Sequence, residues 1–126
     1  MAQDAYPDLP LERWHCADLF ALPTELVGSF DVVIEHTCLS GMPPELRPSY
    51  AKGVLNLLKP KGVIAGVWFI NPELDPGHMG PPFPLPVEAL DELFPESLSI
   101  VEDYVPTPAF TGREGRERVR VLRRGV

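Results

Sequence analysis

Phe30-Asp31-Val32-Val33-Ile34-Glu35 and, some twenty residues on, Leu58-Lys59-Pro60-Lys61-Gly62 running into Val63-Ile64-Ala65-Gly66-Val67-Trp68-Phe69-Ile70 decide how this chain folds. Both apolar runs are short, rich in β-branched residues and apolar on both faces, apart from the small Gly66. That pattern predicts strands 30–35 and 63–70 of a sheet covered on both sides.

Between them, Pro43-Pro44-Glu45-Leu46-Arg47-Pro48 reads as a turn, because Pro48 disfavours helical angles at Arg47. Pro48 then suits the first position of a helix. Tyr50, Val54, Leu57 and Leu58 recur at helical spacing and form its apolar stripe. Lys59 complements the negative end of that helix and Pro60 stops it.

Working outward, residues 11–16 read as a strand, with Trp14 and Cys16 on one face. Residues 71–86 form a long loop rich in proline and glycine, of the length that lids and binding segments have. Val87, Leu90, Leu93 and Phe94 make one face of a short helix ended by Pro95. Residues 98–105 and 117–122 read as two final strands, and the alternation Arg118-Val119-Arg120-Val121 places the last one near an edge. The order predicts a single α/β domain over residues 1–126, with parallel core strands, an antiparallel C-terminal strand pair and flanking helices.

Eighteen acidic against eleven basic residues give a formal charge of −7, which argues against nucleic-acid phosphate as a partner. The longest apolar runs fall well short of the roughly 20 residues needed to cross a bilayer. The start of the chain shows no basic region followed by an apolar one, so a cytoplasmic protein is expected. The two cysteines, Cys16 and Cys38, make no disulfide framework. Sixteen prolines spread among connections and helix starts indicate stiffened loops.

Three pieces carry a resemblance: Ala17-Asp18-Leu19-Phe20-Ala21-Leu22-Pro23, the strand at Phe30, and the turn before Gly62. Together they resemble the middle of a class I S-adenosylmethionine-dependent methyltransferase with a Rossmann-like sheet. Residues 37–48, the run Gly80-Pro81-Pro82-Phe83 and the ending Gly112 to Arg118 resemble the thiopurine and thiol S-methyltransferase-like family in particular. The resemblance covers residues 5–124 and corresponds to the later part of a family member.

The resemblance implies S-adenosylmethionine as cofactor and a small-molecule acceptor, with sulfur as the nucleophile. It implies that Asp18 accepts a hydrogen bond from the adenine amine, with Leu19 and Phe20 beside the ring. It further implies that Glu35, His36 and Thr37 approach the methionine portion of the cofactor, as ligands of open α/β sheets do at strand carboxyl ends. Trp68, Phe69, Met79 and Phe83 are candidates for an acceptor pocket under a cover formed by residues 71–83.

Departures from the family are equally plain. The sequence contains no G-x-G, so the glycine-rich turn is missing, and so is the acidic residue that holds the ribose. Lys61 stands where the family's turn has glycine. In the family's sheet two strands lie between those matching residues 11–16 and 30–35. Their loss would expose the edge of strand 30–35. The expectation is that residues 11–16 move in beside it or that a second copy covers it in a homodimer.

Other readings remain open. A non-catalytic methyltransferase-like remnant acting by self-association or partner binding is the alternative to the enzyme. His15-Cys16 and His36-x-Cys38 could supply four zinc ligands, though without the usual C-x₂₋₄-C spacing, and Cys38 with His36 could form a nucleophile and base. The arginines at 113, 116, 118, 120, 123 and 124 read as a solvated strand face interspersed with Glu114 and Glu117.

Overall fold

The computed structural model describes residues 15–72 and 74–125. Its centre is a four-stranded sheet in the order β1-β2-β4-β3, with β1 at Phe30–His36, β2 at Leu58–Phe69, β3 at Leu98–Tyr104 and β4 at Glu117–Arg124. β1 and β2 are parallel, whereas β4 is antiparallel to both β2 and β3. Helix α1, Arg47–Leu57, connects β1 to β2, and helix α2, Val87–Leu93, lies between β2 and β3. This is the expected α/β arrangement of parallel core strands with an antiparallel C-terminal pair.

Side chains alternate between the two faces of each strand. Ile64 and Trp68 of β2 and Leu122 of β4 point to one face, where Tyr50 and Val54 of α1 and Leu90 of α2 complete the core. Trp68 is fully buried there, edge-on to Phe94 with ring centroids 6.2 Å apart. Its indole lies back over Gly66, where a Cβ would stand only 2.1 Å from it. Glycine is required at 66 because the tryptophan occupies the space of a side chain.

The opposite face differs from the expectation of a sheet covered on both sides. Val32 and Ile34 of β1 are 51% and 80% exposed, and Val63, Ala65, Val67, Val119 and Val121 beside them are half-buried. Among the described residues both helices lie on the core face, and β1 is a sheet edge. The predicted strand 11–16 falls outside the described residues except for His15 and Cys16, which are exposed and not in a strand.

One further expectation is corrected. The helix predicted through Leu58 ends at Leu57, because Pro60 keeps Lys59 out of helical angles and Leu58 turns extended (φ −79, ψ 138). Leu58 is thereby fully buried opposite Phe30, and pairing resumes at Val32 with Val63 after residues 59–62 loop out. Lys61 sits in that excursion at φ +66, a left-handed angle that glycine adopts without strain.

The last strand lies one place in from the sheet edge, between β2 and β3. Arg120 is buried and reaches Asp91 of α2 at 2.6 Å and Asp103 of β3 at 3.3 Å, and Arg118 also meets Asp103. Arg124 donates to the carbonyls of Leu55 and Leu58. Charge on an interior strand is tolerated because it is paired on arrival.

Candidate functional site

The tip of β1 is built by a carboxylate turned inward. Glu35 faces the core side of the sheet and is buried, and its Oε1 accepts from the backbone N–H groups of Cys38 and Leu39. It thereby caps the short helical turn Leu39–Gly41 that follows the strand. Oε2 has no hydrogen-bond partner among the described residues. Burial pushes the Glu35 pKa above its ordinary 4.5, against the two amide donors that lower it. Burial and the neighbouring Glu35 charge likewise hold the Tyr50 phenol and the Cys38 thiol above their usual ranges.

Thr37 follows at φ +57, a left-handed angle that is rare for a β-branched residue and costs about 1–3 kcal/mol. Its N–H bonds to the carbonyl of Val67 and its own carbonyl accepts from the Ser40 hydroxyl, so the surrounding bonds hold the strained angle. His36 points to the other face of the sheet.

There it lines a cavity of about 370 Å³ with Val67, Pro106, Pro108, Ala109, Phe110 and Glu117. The loop after β3 thus folds back over the upper end of the bare face. Glu117 is buried, and its charge is met by Arg113 at 3.2 Å, whose guanidinium lies 4.5 Å over the Phe69 ring. A second hollow of about 360 Å³ continues down the sheet between Ile34, Ala65, Val67 and Val119. The walls are apolar, with His36 as the titratable group in common.

Asp18, Leu19 and Phe20 stand elsewhere. Asp18 is exposed, and its Oδ1 accepts from the Phe20 N–H in a local turn. Leu19 and Phe20 line a cavity of about 280 Å³ against α1 with Ser49, Lys52, Gly53 and Asn56. Leu19 approaches so closely that a Cβ on Gly53 would lie 2.5 Å from its carbonyl oxygen. The structure therefore groups Leu19 and Phe20 on one side of α1 and His36 with the sheet face.

The expected acceptor residues are also dispersed. Trp68 belongs to the core, Phe69 lies under Arg113, and Met79 is 83% exposed. Phe83 is tied down instead: its N–H bonds to the Ser40 carbonyl, and Arg47 donates to the carbonyls of Phe83 and Pro84. Residues 106–110 around the His36 cavity went unread in the sequence. The signal was available in Pro106-Thr107-Pro108-Ala109-Phe110, an aromatic held in a proline-stiffened loop beyond a strand. Cys38, kept as the thiol, offers no ready nucleophile. Among the described residues no three His, Cys, Asp or Glu side chains gather closely enough to hold a metal ion.

The profile of the Thiopurine S-methyltransferase (TPMT) family matches residues 9–124. This chain belongs to that family. It is 36% identical over 80 residues to the thiopurine S-methyltransferase of Methylococcus capsulatus, a match covering 63% of this chain and 35% of that protein. Thiocyanate methyltransferase 1 of Arabidopsis thaliana is 32% identical over 99 residues, 77% of this chain and 40% of the relative. The chain thus spans little more than a third of the length of these curated relatives. In fold it resembles a solved SAM-dependent methyltransferase from Methanosarcina mazei, with a TM-score of 0.73 at 17% identity, over 99% of this chain and 76% of that one.

Family membership implies use of S-adenosylmethionine. Glu35 is committed to its own loop, Asp18 Oδ1 to its own turn, and Leu19 and Phe20 line a different cavity from His36. By themselves these residues do not form a complete cofactor seat. No helix among the described residues is long and apolar enough to cross a membrane.

Proposed function

We propose that residues 1–126 form one domain, the later, acceptor-side portion of an S-adenosylmethionine-dependent methyltransferase acting on a small sulfur nucleophile in the cytoplasm. The observation that carries this reading is the apolar cavity lined by His36, in a chain that matches the family over residues 9–124. A small neutral acceptor suits it, because the walls are apolar and the charge of Glu117 is already met by Arg113. Methyl transfer to a soft sulfur needs alignment and loss of the thiol proton more than a strong base, and His36 is the proton acceptor at hand.

In this reading Asp18, Leu19 and Phe20 hold adenine, and His36 and Thr37 face the methionine end in a fuller crevice. Glu35 contributes through the loop it caps. Calorimetric titration with S-adenosylhomocysteine tests it. Saturable heat that disappears in Asp18→Ala supports the enzyme reading, whereas no heat at millimolar ligand supports the non-catalytic reading.

The exposed β1 edge favours one second reading: a non-catalytic chain that self-associates as a homodimer through that strand. Sedimentation at rising concentration, with Ile34→Lys as the control, distinguishes it.

A further inference from the structure

Where α2 and the turn after it pass over β3 and β4, the packing leaves a hollow of about 190 Å³. Its walls are apolar: Leu90 and Phe94 come from the helix side, and Leu98, Ile100 and Leu122 from the strands. Four of these are buried, whereas Ile100 is 54% exposed and marks the mouth. The hollow shares no lining residue with the His36 cavity.

One end of it is charged. The buried Arg120 guanidinium lines the hollow and reaches Asp91 on one side and Asp103 on the other. Asp103 is also met by Arg118, so two guanidiniums balance two carboxylates. Glu96 stands exposed at the rim, with no hydrogen bond or ion pair among the described residues, and adds a negative charge that nothing there cancels. Beside it, Asp91 spends only Oδ1 on Arg120, and its side chain is 53% exposed. An anion entering the hollow would meet two carboxylates, while the charge of Arg120 is already answered. A wholly apolar molecule would fill the walls and leave both carboxylates to water.

We propose that this hollow binds a small monoamine, with a short apolar body between Phe94 and Ile100 and its ammonium between Asp91 and Glu96. Volume sets the size of the body. An apolar cavity of about 150 Å³ holds one benzene ring, so this one takes a ring and one or two further atoms. Hydrogen bonds from the ammonium to the two carboxylates are charge-assisted and fix the head. Binding needs neither S-adenosylmethionine nor the His36 cavity, so its failure and the failure of the proposed activity are read separately.

Benzylamine is the probe, with benzyl alcohol and benzoate as neutral and anionic controls of similar shape. Each is titrated into the full chain near neutral pH and followed by amide chemical shifts. Benzylamine is expected to shift Glu96, Leu98 and Ile100 saturably and to bind about fivefold more tightly than the alcohol. Benzoate is expected not to saturate. Glu96→Gln, at an exposed side chain, should weaken the amine by about threefold and leave the alcohol unchanged. Ile100→Lys puts an ammonium of the chain's own at the mouth and should abolish binding of the amine. No saturable shift at those three amides overturns the proposal. So does equal affinity for amine and alcohol, saturation by benzoate, or amine binding that survives Ile100→Lys.

Discussion

Gly66→Ala tests the packing on which the whole sheet rests. The added Cβ would lie 2.1 Å from Cη2, 2.4 Å from Cζ2 and 2.5 Å from Cζ3 of Trp68. Ordinary carbon contacts need about 3.5–4.0 Å, so the indole must retreat by more than an ångström. It has nowhere easy to go, since Trp68 is fully buried and its ring meets Phe94 edge-on. Overpacking of this kind costs about 1–3 kcal/mol, and losing the ring contact adds about 0.5–1.5 kcal/mol. Against this, alanine is better than glycine inside a strand by roughly 0.5–1 kcal/mol. The net expectation is a loss of about 2–3 kcal/mol, read as a lower urea midpoint followed by tryptophan fluorescence and circular dichroism. The companion variant is Trp68→Phe, whose smaller ring clears the site. In that background Gly66→Ala should cost under about 0.5 kcal/mol or stabilise slightly, giving a coupling well outside the additive range. An equal cost in both backgrounds would refute the claim that the indole is what excludes a side chain at 66.

Three other perturbations follow from named contacts. Glu35→Gln keeps an oxygen for the Cys38 and Leu39 amides and removes a buried charge. Since burial raises the Glu35 pKa from 4.5, its protonated form favours the fold: stability is full below that value and is lost as pH rises through the higher folded-state value. The glutamine variant should lose that fall in stability, and an unchanged pH profile by thermal denaturation would refute it. Lys61→Gly relieves the φ of +66 and should add roughly 0.5–1 kcal/mol; a lower denaturation midpoint would contradict the strain. Gly53→Ala should raise helix propensity by about 1 kcal/mol yet free the 18–20 segment, because its Cβ meets the Leu19 carbonyl at 2.5 Å. Faster amide exchange at Leu19 and Phe20 is the expected readout, and unaltered exchange would show that the contact is slack.

What could be read ahead of the structure was local. Val32-Val33-Ile34 and residues 63–70 announce strands because their chemistry repeats within a few residues, and Pro48 and Pro95 punctuate helices by removing a backbone donor. The partners of Arg120 were not legible, since Asp91 and Asp103 lie far away in sequence and only the closed sheet brings them together. For the same reason the alternating arginines of β4 did not reveal that Arg120 is buried while its neighbours stay half-exposed. Glu35 reads from sequence as a polar strand end facing a ligand, and whether such a residue turns outward or caps its own loop depends on where the next turn falls. The His36 cavity was hidden because its far wall, Pro106 to Phe110, comes from a loop some seventy residues away.

The bonds from Arg47 to the Phe83 and Pro84 carbonyls, with Phe83 on Ser40 and Leu85 on Ile70, join three connections at one end of the sheet. They form a bracket in which the first turn of α1, the turn beyond β1 and the close of the long proline-rich stretch cannot travel independently. A push on Ser40 from anything settling at the tip of β1 would be carried through to residues 83–85 as motion of a single piece.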